Sequence, residues 1–98
     1  MSKPIHNLKS VKKVLDALLK AYGIDTKIKN YQVLENFGEI VGESIAKHAK
    51  AERIESGKLF LSVTSGVWRQ ELSFRKEEMI KKINNYYRQE IVKDIIFR

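Results

Sequence analysis

Six cations in the C-terminal half of this 98-residue chain lie among aromatic rings. They are Arg69, Arg75, Lys76, Lys81, Lys82 and Arg88, and the rings are Trp68, Phe74, Tyr86 and Tyr87. That mixture suits a nucleic acid: arginine and lysine neutralise phosphates, and exposed rings stack on bases. A plainer reading makes Tyr86 and Tyr87 a lid on the core where a helix ends, one ring buried and one exposed. Bond-making chemistry has less to work with. His6 and His48 are far apart and there is no cysteine, so no metal-ligand spacing arises. Glu43, Ser44 and His48 are close in sequence, but a nucleophile needs a base oriented by a third group in a pocket, and nothing else suggests one. No phosphate-cradling or dinucleotide-binding glycine pattern occurs. The chain reads as a binder without enzymatic activity, metal or cofactor.

The bulk numbers agree with a binder. The net charge is +7 and the pI about 9.7, a positive field that favours a polyanion or an acidic protein face. Solubility alone also accounts for such a charge. With 43% hydrophobic residues the chain has enough for one modest core, so residues 1–98 are expected to form one domain. The absence of cysteine suits a cytoplasmic protein, which binding to DNA would place at the nucleoid. Met1 to Asn7 lacks the apolar run of a signal peptide and is expected to fray. No apolar stretch nears the ~20 residues that cross a bilayer.

These residues need elements to position them. Leu8, Val11, Leu15, Leu18 and Tyr22 recur at alternating three- and four-residue steps, which predicts a helix from Asn7, its N-cap, to a stop at Gly23. Its lysines gather opposite that stripe. A second helix is predicted over Lys27 to Ala49, with Leu34, Phe37, Val41 and Ile45 inward. Gly38 and Gly42 inside it imply that a neighbouring element comes close. The period then changes. Arg53-Ile54-Glu55 reads as a short strand, Ser56-Gly57 as a turn, and Lys58 to Thr64 as a strand with Leu59, Leu61 and Val63 on one face. Ser65 should cap a helix carrying Trp68, Leu72, Met79, Ile80, Ile83 and Tyr87. Its apolar beat fails at Arg75 and Lys76, so a kink or split is expected there. Glu43 with Lys47, Glu77 with Lys81 and Glu78 with Lys82 are spaced to pair along their helices. Glu90 to Arg98 reads as the last strand. A long helix before a strand returns it parallel, so the expected fold is α+β: a three-stranded mixed sheet with helices on one face. The order helix-helix-strand-strand-helix-strand is similar to a KH fold. The place of that fold's nucleic-acid loop falls at Ser73-Phe74-Arg75-Lys76, without its GXXG.

Four stretches also resemble a known family. They are Phe37-Gly38-Glu39-Ile40-Val41-Gly42 with Ile45-Ala46-Lys47-His48; Gly57 to Val63; Ser65-Gly66-Val67-Trp68-Arg69-Gln70-Glu71-Leu72; and Ile83-Asn84 with Ile95-Ile96-Phe97-Arg98. Together they cover most of residues 31–98 and resemble the DciA-like family. Trp-x-x-Glu-Leu after a strand ending near serine is the most specific piece. Where Phe37 stands the family often has tryptophan, and some members carry a long extension. The resemblance implies a KH-like fold and a non-enzymatic accessory role. It implies recruiting or loading the replicative DNA helicase, with direct binding to single- or double-stranded DNA. The expected contacts are Arg69, Arg75, Lys76, Lys81, Lys82 and Arg88, on a core of Phe37, Val41, Gly42, Leu61, Trp68, Leu72 and Ile83. Trp68 is expected to pack with Leu72 under the sheet edge, near Gly38 and Gly42. A protein adaptor that does not touch DNA, and a KH-like RNA binder, are the alternatives.

Overall fold

The computed structural model describes the backbone of residues 4–98, with side chains from residue 10 onward except residues 19 and 20. Its elements are α1 (Pro4–Ala21), α2 (Ile24–Val41), α3 (Glu43–Ala46), β1 (Ala49–Glu55), β2 (Lys58–Val63), α4 (Gly66–Ser73), α5 (Lys76–Tyr87) and β3 (Asp94–Phe97). The sheet order is β1-β2-β3, with β1 antiparallel and β3 parallel to β2. The α+β class and mixed three-stranded sheet are as expected. Among the described residues no helix is long and apolar enough to cross a membrane.

Several boundaries differ from the expectation, each for a local reason. Asn7 lies inside α1 rather than capping it. The fraying expected over Met1 to Asn7 falls in part on residues 1–3, outside the described residues. Gly23 does end α1, in the left-handed region at φ 72°. The second helix stops at Gly42, whose φ of 103° suits glycine alone; a separate turn, α3, follows, and Ala49 already belongs to β1. Gly42 is thus a break, and an added Cβ there would meet nothing. Gly38 is the close approach: a Cβ on it would lie 3.3 Å from that of Ala46 on α3. The first strand is longer than Arg53–Glu55, and a bulge between Ala51 and Arg53 shifts its register. The turn at Ser56-Gly57 has two positive φ angles, 50° and 78°, the geometry a two-residue hairpin requires. The kink is a full split between α4 and α5. The final strand shortens to Asp94–Phe97.

The shortening has an identifiable cause in Asn84. Its side-chain oxygen accepts from the amides of Ile91 and Val92, both at 2.9 Å, and its amide nitrogen donates to the Val92 carbonyl at 2.9 Å. Those bonds satisfy the main chain of 91–92 without a neighbouring strand, while Ile91 and Val92 still bury their side chains. The Gly57 carbonyl then accepts from Lys93 at 2.7 Å and starts β3 beside the hairpin.

One core cluster results. Leu59, Leu61 and Val63 of β2 point into it, joined by Val33, Phe37, Val41, Ile45, Leu72, Met79, Ile83 and Ile95. Ser65 caps α4 as expected, its hydroxyl accepting from the Trp68 amide at 3.2 Å. Tyr87 packs on the core with its hydroxyl bonded by Asn36, and Tyr86 is half exposed.

Candidate nucleic-acid interface

β3 is an edge strand, and α4 and α5 run beside it. Between them lies an open groove of about 460 Å³ lined by Gly66, Arg69, Gln70, Ser73, Lys76, Ile95, Ile96 and Phe97. Its floor is apolar, from β3. Its rim is polar and cationic, from the α4–α5 corner. The strand also presents main chain to it. Arg98 donates to Leu61 at 2.8 Å and accepts from Val63 at 2.9 Å, so residue 98 faces β2. In a parallel ladder the alternate residue faces away, which directs the amide and carbonyl of Phe97 to the open edge.

The split at residues 74–75 aims the cations. Arg75 hydrogen-bonds Glu71 one turn earlier at 3.1 Å, and Phe74 is largely exposed at the corner. Lys76 binds Asp94 at 3.0 Å and lies 5.9 Å from the Phe97 ring centre. That ammonium, with the Ile95 amide and Lys58, holds the Asp94 carboxyl below the usual carboxylate range. Two of the six expected contacts therefore already have carboxylate partners. Arg69 is exposed on the groove rim and takes part in none of the ion pairs among the described residues.

The groove gathers Arg69 and Lys76, with Arg75 at its corner. It does not gather the other three. Lys81 and Lys82 are exposed further along α5 and line no part of it. Arg88 lies past the end of that ~18 Å helix, in the left-handed conformation at φ 52°, where its amide caps the carbonyls of Asn84 and Asn85. The helix pairs Glu43–Lys47, Glu77–Lys81 and Glu78–Lys82 are absent from the ion pairs among the described residues. Gln70, Ile95, Ile96 and Phe97 were not anticipated as site residues, whereas Ser73 begins the stretch where the KH-like order places its loop. Their signal was the strand itself, whose partly exposed edge follows only from knowing that β3 is outermost.

The expected core residues Phe37, Val41, Leu61, Leu72 and Ile83 are buried. Trp68 sits at the margin. Half-buried, it stacks on His48 with ring centres 3.8 Å apart and planes 10° apart. His48 follows α3, so this stack ties α4 to the entry of β1. His48 thereby has a packing role.

The model of the family described as "Dna[CI] antecedent, DciA" matches residues 10–97, and the chain belongs to that family. It is 28% identical over 79 residues to a UPF0232 protein of Corynebacterium glutamicum (strain R), covering 81% of this chain and 44% of that protein. It is 31% identical over 68 residues to a UPF0232 protein of Rhodococcus jostii (strain RHA1), covering 69% of this chain and 36% of that protein. The chain thus spans less than half the length of these curated relatives.

Proposed function

Proceeding from that membership, we propose that this chain is a non-enzymatic accessory protein of the replicative DNA helicase. In this proposal it assists helicase recruitment or loading in the cytoplasm, at the nucleoid, and holds a nucleic-acid strand in the groove beside β3. The observation that carries the binding half is the groove itself. An apolar floor beside a cationic rim can take the faces of bases while phosphates track the α4–α5 corner. Main-chain groups of the outer strand edge can hydrogen-bond base edges. Single-stranded DNA is the form expected to bind more tightly, because only unpaired bases can lay their faces on an apolar floor. The element order, similar to that of a KH fold, points to the same region, with Ser73-Phe74-Arg75-Lys76 where that fold has its nucleic-acid loop, here without the GXXG. No group in the groove is arranged as a nucleophile and base, and His48 is stacked on Trp68.

The test is a salt titration of binding to fluorescent single- and double-stranded DNA, with and without the helicase. The expected result is single-strand affinity that falls steeply with salt and weakens in Arg69→Glu. Salt-independent or absent binding rejects the groove's role. One observation favours a pure protein adaptor instead: Arg53, Arg75, Lys76 and Arg98 of the sheet-bearing part all face carboxylates within 4 Å. Helicase binding without any DNA binding would establish that reading. A preference for RNA over DNA of equal sequence would establish the KH-like RNA alternative.

A further inference from the structure

Three cations frame the groove, and two of them carry a carboxylate of this chain. Lys76 is the first residue of α5 and Asp94 the first of β3, so their ion pair bridges the helix corner and the outer strand beside the groove. The ammonium donates to Asp94 Oδ1 at 3.0 Å, and the same oxygen accepts from the Ile95 amide at 2.8 Å. That second bond fixes the carboxylate on the strand. The ammonium is thereby held near the apolar floor, 5.9 Å from the centre of the Phe97 ring. Lys58, opposite Asp94 in the β2–β3 register, is the second cation beside this carboxylate. Arg69, by contrast, is in no ion pair among the described residues.

Stability alone gives this pair little purpose. The Lys76 and Asp94 side chains are 33% and 43% exposed, and an ion pair in that setting contributes little to the fold. The bond from the Ile95 amide, and the Gly57 carbonyl that accepts from Lys93, already set the start of β3. Nor is the carboxylate swamped by the positive charge of the chain. Among the described residues α1 packs substantially on α2 alone, and the molecule is 66 Å long but only 23 and 18 Å across. α1 therefore projects from the body as an arm, and its Lys12 and Lys13 line no part of the groove. At the groove itself, one carboxylate beside Arg69, Arg75 and Lys76 is a large share of the local charge.

We propose that Asp94 is a built-in counterion of the groove: it occupies Lys76 in the free protein, and a phosphate of a bound single strand competes with it for that ammonium. The proposal deepens the nucleic-acid reading of the groove and rests on it. A carboxylate and a phosphate oxygen make the same kind of charge-assisted bond to an ammonium, so the exchange gains little. Affinity is lowered by the bond that must be given up. The salt dependence is lowered too. Lys76 with Asp94 beside it brings no net charge to the strand and releases no counterion from it, whereas Lys76 alone neutralises one phosphate and does. Arg69 supplies the contact that needs no exchange.

The experiment is a salt titration of binding to fluorescent single-stranded DNA by the whole chain and by Asp94→Asn, each with and without Lys76→Gln. An asparagine side-chain oxygen can still accept from the Ile95 amide, which keeps the start of β3. Asp94→Asn is expected to bind about fivefold tighter at low salt, the size of one exposed ion pair. Its plot of log affinity against log salt should steepen by about 0.7, one single-strand phosphate. The gain should mostly disappear in the Lys76→Gln background, and Asp94→Glu, which keeps the carboxylate, should bind like the parent. Equal or weaker binding by folded Asp94→Asn overturns the proposal, because a purely structural Asp94 cannot be removed with a gain. A gain undiminished by Lys76→Gln overturns it equally, since the carboxylate would then act through the general field. If Asp94→Asn does not fold, Asp94→Ser takes its place. Binding that weakens in Arg69→Glu but ignores Asp94 keeps the groove and removes only the counterion. Absence of binding by the parent and every variant removes both.

Discussion

The arm and the body are built from similarly patterned sequence, yet they hold their charge and their apolar residues differently. Residues 1–31 contain seven lysines against two aspartates, a net +5, which leaves +2 of the total +7 to residues 32–98. The arm exposes its apolar stripe; the body buries all of Leu59, Leu61, Leu72, Met79 and Ile83. Helical periodicity is equally clear in α1 and α5. Periodicity therefore reports that a helix has a face to cover, and not whether this chain covers it. Net charge misleads in a similar way. The basic character seen in the whole composition belongs mostly to the arm, while the body's cations are largely balanced by nearby acids.

The sharpest way to break this contrast is a matched pair of truncations. Leu72→Ala removes a fully buried side chain and is expected to cost about 3 kcal/mol. Leu15→Ala on the arm should cost no more than about 0.5 kcal/mol. Chemical denaturation reads both. Equal losses would mean that α1 packs on the body, and the arm would cease to be a separate region.

Next in size is Asn84, which holds the body's last connection together. Asn84→Ala strands two amides and one carbonyl of residues 91 and 92, and is expected to lower stability by about 2 kcal/mol. Hydrogen exchange should show the loss centred on residues 91–97 and not on α1. A loss spread evenly over the arm would contradict the separation.

The sequence made much of this body readable, and the reasons for its failures are physical. Ser65, the alternation of Lys58 to Thr64, and the failed beat at Arg75 and Lys76 each act through local chemistry, and each lies where expected. Gly42 was misread because a glycine inside a helical beat signals either a close approach or a break, and only φ separates the two. Residues 91–93 looked like strand because β-branched residues suit any buried extended segment, whereas Asn84, seven residues back, takes their hydrogen bonds. The candidate cations were legible in the sequence, but the groove that gathers only some of them was not. Sequence spacing put Lys81, Lys82 and Arg88 with Arg69, and the length and turn of α5 carry them away. The uncovered state of α1 had no sequence signal at all, since exposure depends on what fails to pack against it.

Charge reversal within the groove sharpens the body's half of the contrast. Arg69 has no carboxylate partner among the described residues, and Arg75 is bonded to Glu71 at 3.1 Å. Arg69→Glu should weaken single-strand binding about tenfold, near 1.4 kcal/mol. Arg75→Glu should weaken it less, because the present side chain is already partly neutralised. Fluorescence anisotropy at fixed salt compares them. The reverse order would relocate the phosphate path from the rim to the corner.

The smallest expected effect concerns acid. Lys76 is the main reason that the Asp94 carboxyl sits below its ordinary range, with the Ile95 amide adding to it. A carboxyl whose folded pKa is depressed stabilises the fold above its unfolded value, and that contribution is lost as pH falls through the folded value. The body should therefore lose a little stability below about pH 4, the ordinary range for aspartate. Exposure of the pair keeps the effect small. Comparing thermal melts of the parent and Asp94→Asn across pH isolates it. The parent should be the more stable at neutral pH, and the two should converge in acid. Because α1 carries no such pair among its described residues, its helical signal should not follow the same titration. A parallel change there would couple arm to body through the α4–α5 corner, and the two regions would no longer be independent.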